Sequence, residues 1–279
     1  MTPLHTEDHA RDYADHVWVY PVVSRRAGGL SIGVNLNPNN ACNWHCVYCQ
    51  VPHLERGGPP PVDLARLRAE LDALLGDVLA GDFLSRATPA GTRLVDIAFS
   101  GNGEPTSSRE FPQAVTLVIE VLATHGLLGT LPIRLITNGS LLDRPTVLAA
   151  IERLGRHGGE IWFKFDATTE AARLRINGTR QSSRRALANL RAAAARCPVW
   201  LQSCFFLWDG APPDENEVRT WLDAVASCAE VLRGVHLYGI ARPSQQPEAL
   251  RLSRLPGTWL EELATRVTTR TGRPVTVSP

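Results

Sequence analysis

Lysine is nearly absent from this chain: of its 29 basic residues 28 are arginine, and Lys164 stands alone. A coding bias towards arginine accounts for the 28. It also makes Lys164 a position where a guanidinium would not serve. Long hydrophobic runs are missing too, with nothing near the 18 or more apolar residues of a membrane-spanning helix. Residues 1–12 carry His, Asp and Glu and no apolar stretch, so no secretory signal is expected. Neither sign of charge dominates: 29 basic against 28 acidic residues give a net charge of +1. That balance gives none of the basic excess that marks many nucleic-acid-binding chains. Six cysteines in 279 residues are too few for a disulfide scaffold. Three of them, Cys42, Cys46 and Cys49, crowd into eight positions, a spacing that belongs to metal binding in a reducing compartment. The cytoplasm is the expected location, and no membrane partner is expected.

The rest of the chain reads as an ordinary core-forming sequence, 44% hydrophobic and 20% charged, with no low-complexity tract, long linker or internal repeat. Short β-rich runs alternate with helical patterns. Strands are expected at residues 30–36, 94–100, 132–138, 160–166, 199–207 and 235–240. Between them Leu67, Leu71, Leu74 and Val78, then Val115, Val118, Ile119 and Leu122, fall at helical spacing. Pro145 opens a third helix, residues 184–196 a fourth, Asp214 and Glu217 cap a fifth, and residues 259–271 form the last. Six β–α units in series make an α/β protein with a parallel sheet, either an open doubly wound sheet or a curved, partly closed barrel. In both, ligands gather at the carboxyl ends of the strands. One core, residues 30–240, is expected, with an N-terminal extension (1–29) and a C-terminal helix and short strand (241–279).

Four strand ends carry chemistry. Cys42-Asn-Trp-His-Cys46-Val-Tyr48-Cys49 follows the first strand, and three thiolates in one polar loop suit an iron–sulfur cluster. The alternative is a zinc site completed by His45 or a remote cysteine, although no second Cys-x-x-Cys pair is present. Ser100-Gly101-Asn102-Gly103-Glu104-Pro-Thr106 closes the second strand, where glycines let backbone approach a ligand and Glu104 offers a partner for an ammonium. Its plain reading is a β–α turn. Thr137-Asn138-Gly139-Ser140 ends the third. In Trp162-Phe-Lys164-Phe-Asp166, alternation sends Trp162, Lys164 and Asp166 to the interior face and both phenylalanines to the helices. Interior charges are costly unless paired, so either a ligand site or a structural Lys164–Asp166 pair is implied.

The cysteine triplet with its aromatic Tyr48 resembles the signature of radical S-adenosylmethionine (SAM) enzymes. The resemblance implies a [4Fe-4S] cluster on Cys42, Cys46 and Cys49 whose open iron chelates SAM and whose electron splits it to a 5′-deoxyadenosyl radical. It implies SAM contacts from Tyr48, Ser100, Gly101, Asn102, Gly103, Glu104 and Asn138. Asn102 stands where the family usually has glycine. It also implies a catalytic and cofactor-binding role for Lys164 and Asp166. Tyr20-Pro, Ser24-Arg-Arg, Asn37-Pro, Arg175-Ile-Asn177 and Tyr238-Gly-Ile-Ala-Arg242-Pro are similar to the wyosine-biosynthesis-like branch, and the likeness runs through residues 19–277. The fold it implies is a partial (β/α)6 barrel related to the TIM barrel. Members of that branch that modify tRNA carry upstream cysteines for a second cluster, and this chain has none before Cys42. A small-molecule or peptide substrate is therefore expected ahead of tRNA, with a flavodoxin- or ferredoxin-type electron donor. On the substrate side, Gln202, Tyr238 and Arg242 are the candidates at the barrel mouth, with His236 beside them. Arg242 is suited to clamp a carboxylate or phosphate.

Overall fold

The computed structural model of the chain describes residues 4–5 and 13–279. Eight strands lie in one sheet in the order in which the chain makes them: β1 (Val19–Ser24), β2 (Gly29–Val34), β3 (Leu94–Phe99), β4 (Ile133–Thr137), β5 (Glu160–Lys164), β6 (Val199–Cys204), β7 (Leu232–Tyr238) and β8 (Val275–Ser278). β1 runs antiparallel to β2, with Val19 opposite Val34, and all later neighbours are parallel. A parallel neighbour needs a crossover long enough to hold a helix. Those crossovers carry α1 (Leu64–Ala80), α2 (Phe111–Thr124), α3 (Pro145–Arg156), α4 (Glu170–Asn177), α5 (Ser183–Ala194), α6 (Glu215–Ala226) and α7 (Gly257–Thr271). The sheet curls into a half-barrel with helices outside it, so the curved alternative holds and the partial TIM-like barrel is the fold. Among the described residues no helix is long and apolar enough to cross a membrane.

The core follows from the periodicities. α1 turns Leu67, Leu71, Leu74, Leu75 and Val78 inward and is capped where Asp63 accepts from the Arg66 amide. Each such buried leucine contributes on the order of 2 kcal/mol. Phe163 and Phe165 are fully buried in the main apolar cluster, while their neighbours Trp162 and Lys164 face the barrel interior. Asp214 caps α6 by accepting from the Asn216 and Glu217 amides. Glu217 does not complete a capping box; its carboxylate accepts from Arg175 at 3.1 Å.

Three elements differ from the sequence expectation. β1 sits within the expected N-terminal extension, where no flanking helix pattern marked it. The strand expected over 199–207 stops at Cys204, and Leu207–Trp208 pairs instead with Leu252–Ser253. Strands buried on both faces read as unbroken apolar runs, which hides such a break. α4 carries little apolar periodicity, yet both its ends are marked. Thr169 accepts from the Ala172 amide, and Gly178 takes the left-handed conformation at φ 61° that a Cβ disfavours.

A polar layer fills the barrel near the amino ends of its strands. Arg134 bonds Asp96 and, at 2.6 Å, Glu160, and Ser31 also donates to Asp96. Beside it His236 lies between Trp162 and Trp200, with ring centroids 4.6 and 4.7 Å away. Its Nε2 is buried and has no protein partner. Burial, with Arg26 and Arg134 facing it, pushes the imidazole down to about 4. A depressed histidine leaves stability intact above its unfolded value and loses it as pH falls towards the folded one. Urea unfolding should therefore show stability falling between about pH 6.5 and 4, by up to about 3 kcal/mol from this group. His236→Phe should flatten that limb, and an identical acid limb in the variant would show that the loss lies elsewhere.

Candidate functional site

The carboxyl ends of β2 to β7 open on one cavity of about 290 Å³. Cys42, Cys46 and Cys49 line it together with Tyr48, the Ser100–Glu104 turn, Asn138, Lys164, Tyr238 and Arg242. Residues from all six of these strand ends, spread over 200 positions of sequence, thus meet at one place. Asp166, Gln202 and His236 are not in that lining.

The cysteine loop is irregular, so its backbone groups need partners from elsewhere. The end of α4 supplies two: His45 and Val47 amides donate to the Asn177 and Ile176 carbonyls at 3.0 and 2.9 Å. Beyond β7, Ser244 Oγ donates to Val47 O at 2.6 Å, and Gln246 Nε2 donates to Cys49 O and Val51 O at 3.2 and 2.9 Å. On the outer side Arg56 donates to Asn43 O and Gly178 O. Two donors also reach sulfur: Asn177 Nδ2 lies 3.4 Å from Cys46 Sγ, and the Trp44 amide 3.5 Å from Cys42 Sγ.

The glycine turn lies against this loop. Gly101 holds φ +141°, and a Cβ there would strike Asn35 Oδ1; a Cβ on Gly103 would strike Ala41 O, next to Cys42. Asn102 is held by its amide to Asn35 Oδ1 and by Nδ2 to Asn40 Oδ1. Glu104 is 2% exposed and its carboxylate accepts four bonds, from Thr106 N and Oγ1, Thr137 Oγ1 and Asn138 N. Three of these bonds fall on Oε1 and one on Oε2, so Glu104 locks the turn to the end of β4 and keeps an acceptor site on Oε2. Burial raises its pKa against the pull of those donors. Asn138 is similarly engaged, donating to Asn43 Oδ1 at 2.8 Å and accepting from Ser140.

Lys164 and Asp166 do not pair directly. Lys164 Nζ donates to Tyr48 Oη at 2.9 Å and lies 4.7 Å from the centre of that ring. Tyr48 Oη in turn donates to Asp166, which also accepts from Asn177 Nδ2 at 2.7 Å and from the Cys204 amide at 2.9 Å. Desolvation pulls the Lys164 ammonium down, but the acidic groups around it, of which the Asp166 carboxylate is the one charged at neutral pH, prevail and hold its pKa above the ordinary lysine value. Asp166 therefore stands behind Tyr48, on the wall shared with a second, more apolar cavity of about 250 Å³.

The substrate-side candidates divide. Tyr238 and Arg242 line the main cavity, Arg242 donating to Gln50 Oε1 at 3.2 Å. Gln202 does not reach the mouth: it is fully buried, donates to Trp162 O at 3.0 Å and accepts from Arg26. His236 is likewise interior, packed between the Trp162 and Trp200 rings. Asn177, Ser244, Gln246 and Arg26 are the residues that sequence reasoning missed. Asn177 and Arg26 lay in stretches of family likeness without a role; Ser244 and Gln246 sit in a segment expected to be peripheral.

A family model, that of the radical SAM superfamily, matches residues 36–224, more than half of the chain. The chain belongs to the radical SAM superfamily. Its fold is similar to a radical SAM methyltransferase from Sphaerobacter thermophilus (TM-score 0.60, 17% identity, 95% of this chain and 67% of that one). It is also similar to SuiB of Streptococcus suis bound to S-adenosylmethionine (TM-score 0.55, 10% identity, 91% of this chain and 49% of that one). A curated relative, the GTPase Obg of Brachyspira hyodysenteriae, is 29% identical over 122 residues. That match covers 44% of this chain and 15% of the relative's length. The family model shows the superfamily and the solved structures its fold; none of these likenesses specifically supports the wyosine-like branch.

The radical SAM cluster fits the residues present. Three thiols open on one cavity, two of them with donors at sulfur. Among the described residues no three His, Cys, Asp or Glu side chains converge on a single ion. Burial pushes Cys42 up to about 11 and Cys46 up to about 12. Thiols this dry become thiolates when a cationic centre compensates them. The fixed frame around them also predicts a structural role for Glu104. Glu104→Ala should strand the Thr106, Thr137 and Asn138 donors and lower unfolding stability of the metal-free protein by about 1–3 kcal/mol. An unchanged melting temperature would leave Glu104 with a ligand-facing role alone.

Proposed function

We propose that this chain cleaves S-adenosylmethionine reductively at a [4Fe-4S] cluster held by Cys42, Cys46 and Cys49, and acts on a small-molecule or peptide substrate. The observation that carries the reading is the meeting of the three thiols, the glycine turn and Lys164 on one cavity. The cluster and SAM, when bound, supply a 5′-deoxyadenosyl radical able to take a hydrogen atom. The chain's own share is binding, orientation and exclusion of water. The turn at 100–104 offers an ammonium its backbone carbonyls and the remaining acceptor site of Glu104 Oε2. Lys164, kept charged and aimed by Tyr48, meets a carboxylate. Asn138 and Tyr48 stand where an amide and an aromatic face would bound a nucleoside. Asp166 acts through Tyr48, Asn177 and the Cys204 amide rather than by touching a ligand. A flavodoxin- or ferredoxin-type donor supplies the electron.

Anaerobic reconstitution should give about four irons and four sulfides per chain, as a cysteine-ligated cluster requires. Reduced protein should then form 5′-deoxyadenosine from SAM, and joint replacement of Cys42, Cys46 and Cys49 by alanine should abolish both properties. Lys164→Arg should weaken SAM binding at unchanged iron content, because a planar fork cannot take the place of a compact ammonium over Tyr48. One zinc per chain without sulfide would sink the proposal.

The likeness of Tyr20-Pro, Arg175-Ile-Asn177 and Tyr238 to Arg242 with the wyosine-like branch favours tRNA modification as a second reading. Backbone contacts to phosphates make such binding fall steeply with salt. A gel-shift titration with total tRNA should show no submicromolar, salt-sensitive complex; finding one would make the RNA reading the better.

A further inference from the structure

Arginine is paired with carboxylate over much of the surface: thirteen ion pairs join basic and acidic side chains among the described residues, and arginine supplies twelve of them. The turn between β1 and β2 breaks that habit. Arg25 and Arg26 reach from it across the open side of the half-barrel. Arg25 Nη2 donates to Gly239 O at 3.2 Å, just past the end of β7. Arg26 donates to Gln202 Oε1, and its guanidinium lies 4.7 Å from the Tyr238 ring centre and 5.4 Å from that of Trp162. Arg254 adds a third cation nearby, donating to Ile240 O at 3.0 Å and to Ala241 O. Every one of these acceptors is neutral. None of the three arginines joins an ion pair among the described residues.

Arg25 and Arg26 both line the cavity that holds the thiols. The carboxylate in that lining, Glu104, bonds Thr106, Thr137 and Asn138 and forms no ion pair with either arginine. Each guanidinium has five N–H donors, and the bonds named use one on each. Arg26 is also fixed before any ligand arrives, by a fully buried glutamine on one edge and aromatic faces on two sides. A planar fork so held suits bidentate recognition of carboxylate or phosphate. Arg26 also has different neighbours from Lys164: it is held by Gln202, Tyr238 and Trp162, whereas Lys164 turns to Tyr48 on the cysteine loop. A ligand held by Lys164 near the thiols would leave Arg25 and Arg26 to a second molecule. Like charge weakens Arg25, whose pKa is lowered by burial and then by Arg26 and Arg254; an arriving anion would relieve that repulsion.

We infer that the substrate of this enzyme carries a carboxylate or phosphate group, and that Arg26, with Arg25 beside it, is the residue pair that receives it. The inference rests on the radical SAM reading for calling the occupant a substrate. The anion site itself is independent of it. The bland role for the same residues is a staple that closes the sheet between its first strand and β7, and the two roles separate in one experiment.

Isothermal titration of the reconstituted protein with inorganic phosphate, with succinate and with neutral succinamide reads the site directly. At least one anion should bind the wild type, more weakly as sodium chloride is added, and succinamide should not. The anion that binds names the group. Arg26→Gln and Arg25→Gln should each weaken that binding by tenfold or more, with Arg26→Lys between them and wild type. If Arg26→Gln fails to fold, Arg26→Lys and Arg25→Gln carry the comparison. Anion binding no tighter than succinamide, or Gln variants that bind like wild type while melting earlier, would overturn the proposal and leave the staple. Intact anion binding in protein that never forms 5′-deoxyadenosine would instead remove the radical reading.

Discussion

A carboxylate enclosed by protein is tolerable only when its lone pairs are filled, and Asp166 fills them from three directions. Tyr48 comes from the cysteine loop, Asn177 from the end of α4, and the Cys204 amide from the end of β6. Through Tyr48 the same group fixes Lys164, and through Asn177 it touches the sulfur of Cys46. One buried anion therefore sets the mutual positions of a loop, a helix and two strand ends. Each of its bonds would leave an unsatisfied buried donor if lost, at about 1–3 kcal/mol apiece. That penalty is what keeps an otherwise irregular loop in a single conformation.

The framing of the loop explains why some of the site was legible in the sequence and some was not. Thiol spacing, the glycine turn and the Phe163/Lys164/Phe165 alternation are local patterns, and each reports directly on chemistry or on a face. The half-barrel followed from serial β–α units, with its curvature supplied by the resemblance. Asn177, Ser244 and Gln246 act by donating to sulfur, to a carboxylate or to carbonyls far away in sequence, and such bonds leave no periodicity to read. Gln202 shows the opposite difficulty. It lies on β6 in register with Lys164, yet its side chain is taken up by Trp162 O and Arg26, long-range bonds that a single strand does not reveal. Glu104 matched a motif whose usual meaning is ligand contact, and it also ties the turn to Thr137 and Asn138, which the motif does not announce.

The interior of the barrel is thus stratified. Near the amino ends of the strands Arg134, Asp96, Glu160 and Ser31 neutralise one another, and His236 is kept uncharged between two indoles. Above them the charge is unbalanced, with Arg25 and Arg26 on the open side and Lys164 nearer the thiols. Arginine is used in both layers for different physical reasons: as a paired strut below, and as an oriented donor held by neutral partners above. The solitary lysine occurs where a point charge must sit over an aromatic ring.

The dryness of the cysteine pocket bears on how the protein comes to be loaded. Thiols held near 11 and 12 carry almost no thiolate at neutral pH, and thiolate is the form that alkylates, oxidises and exchanges disulfides. Cys42 and Cys46 should therefore stay chemically quiet in the metal-free protein. In the ligand role proposed for them, each of these two sulfurs would have to release a proton. Loading is then a proton-coupled event, easier in mildly alkaline surroundings and opposed by acid.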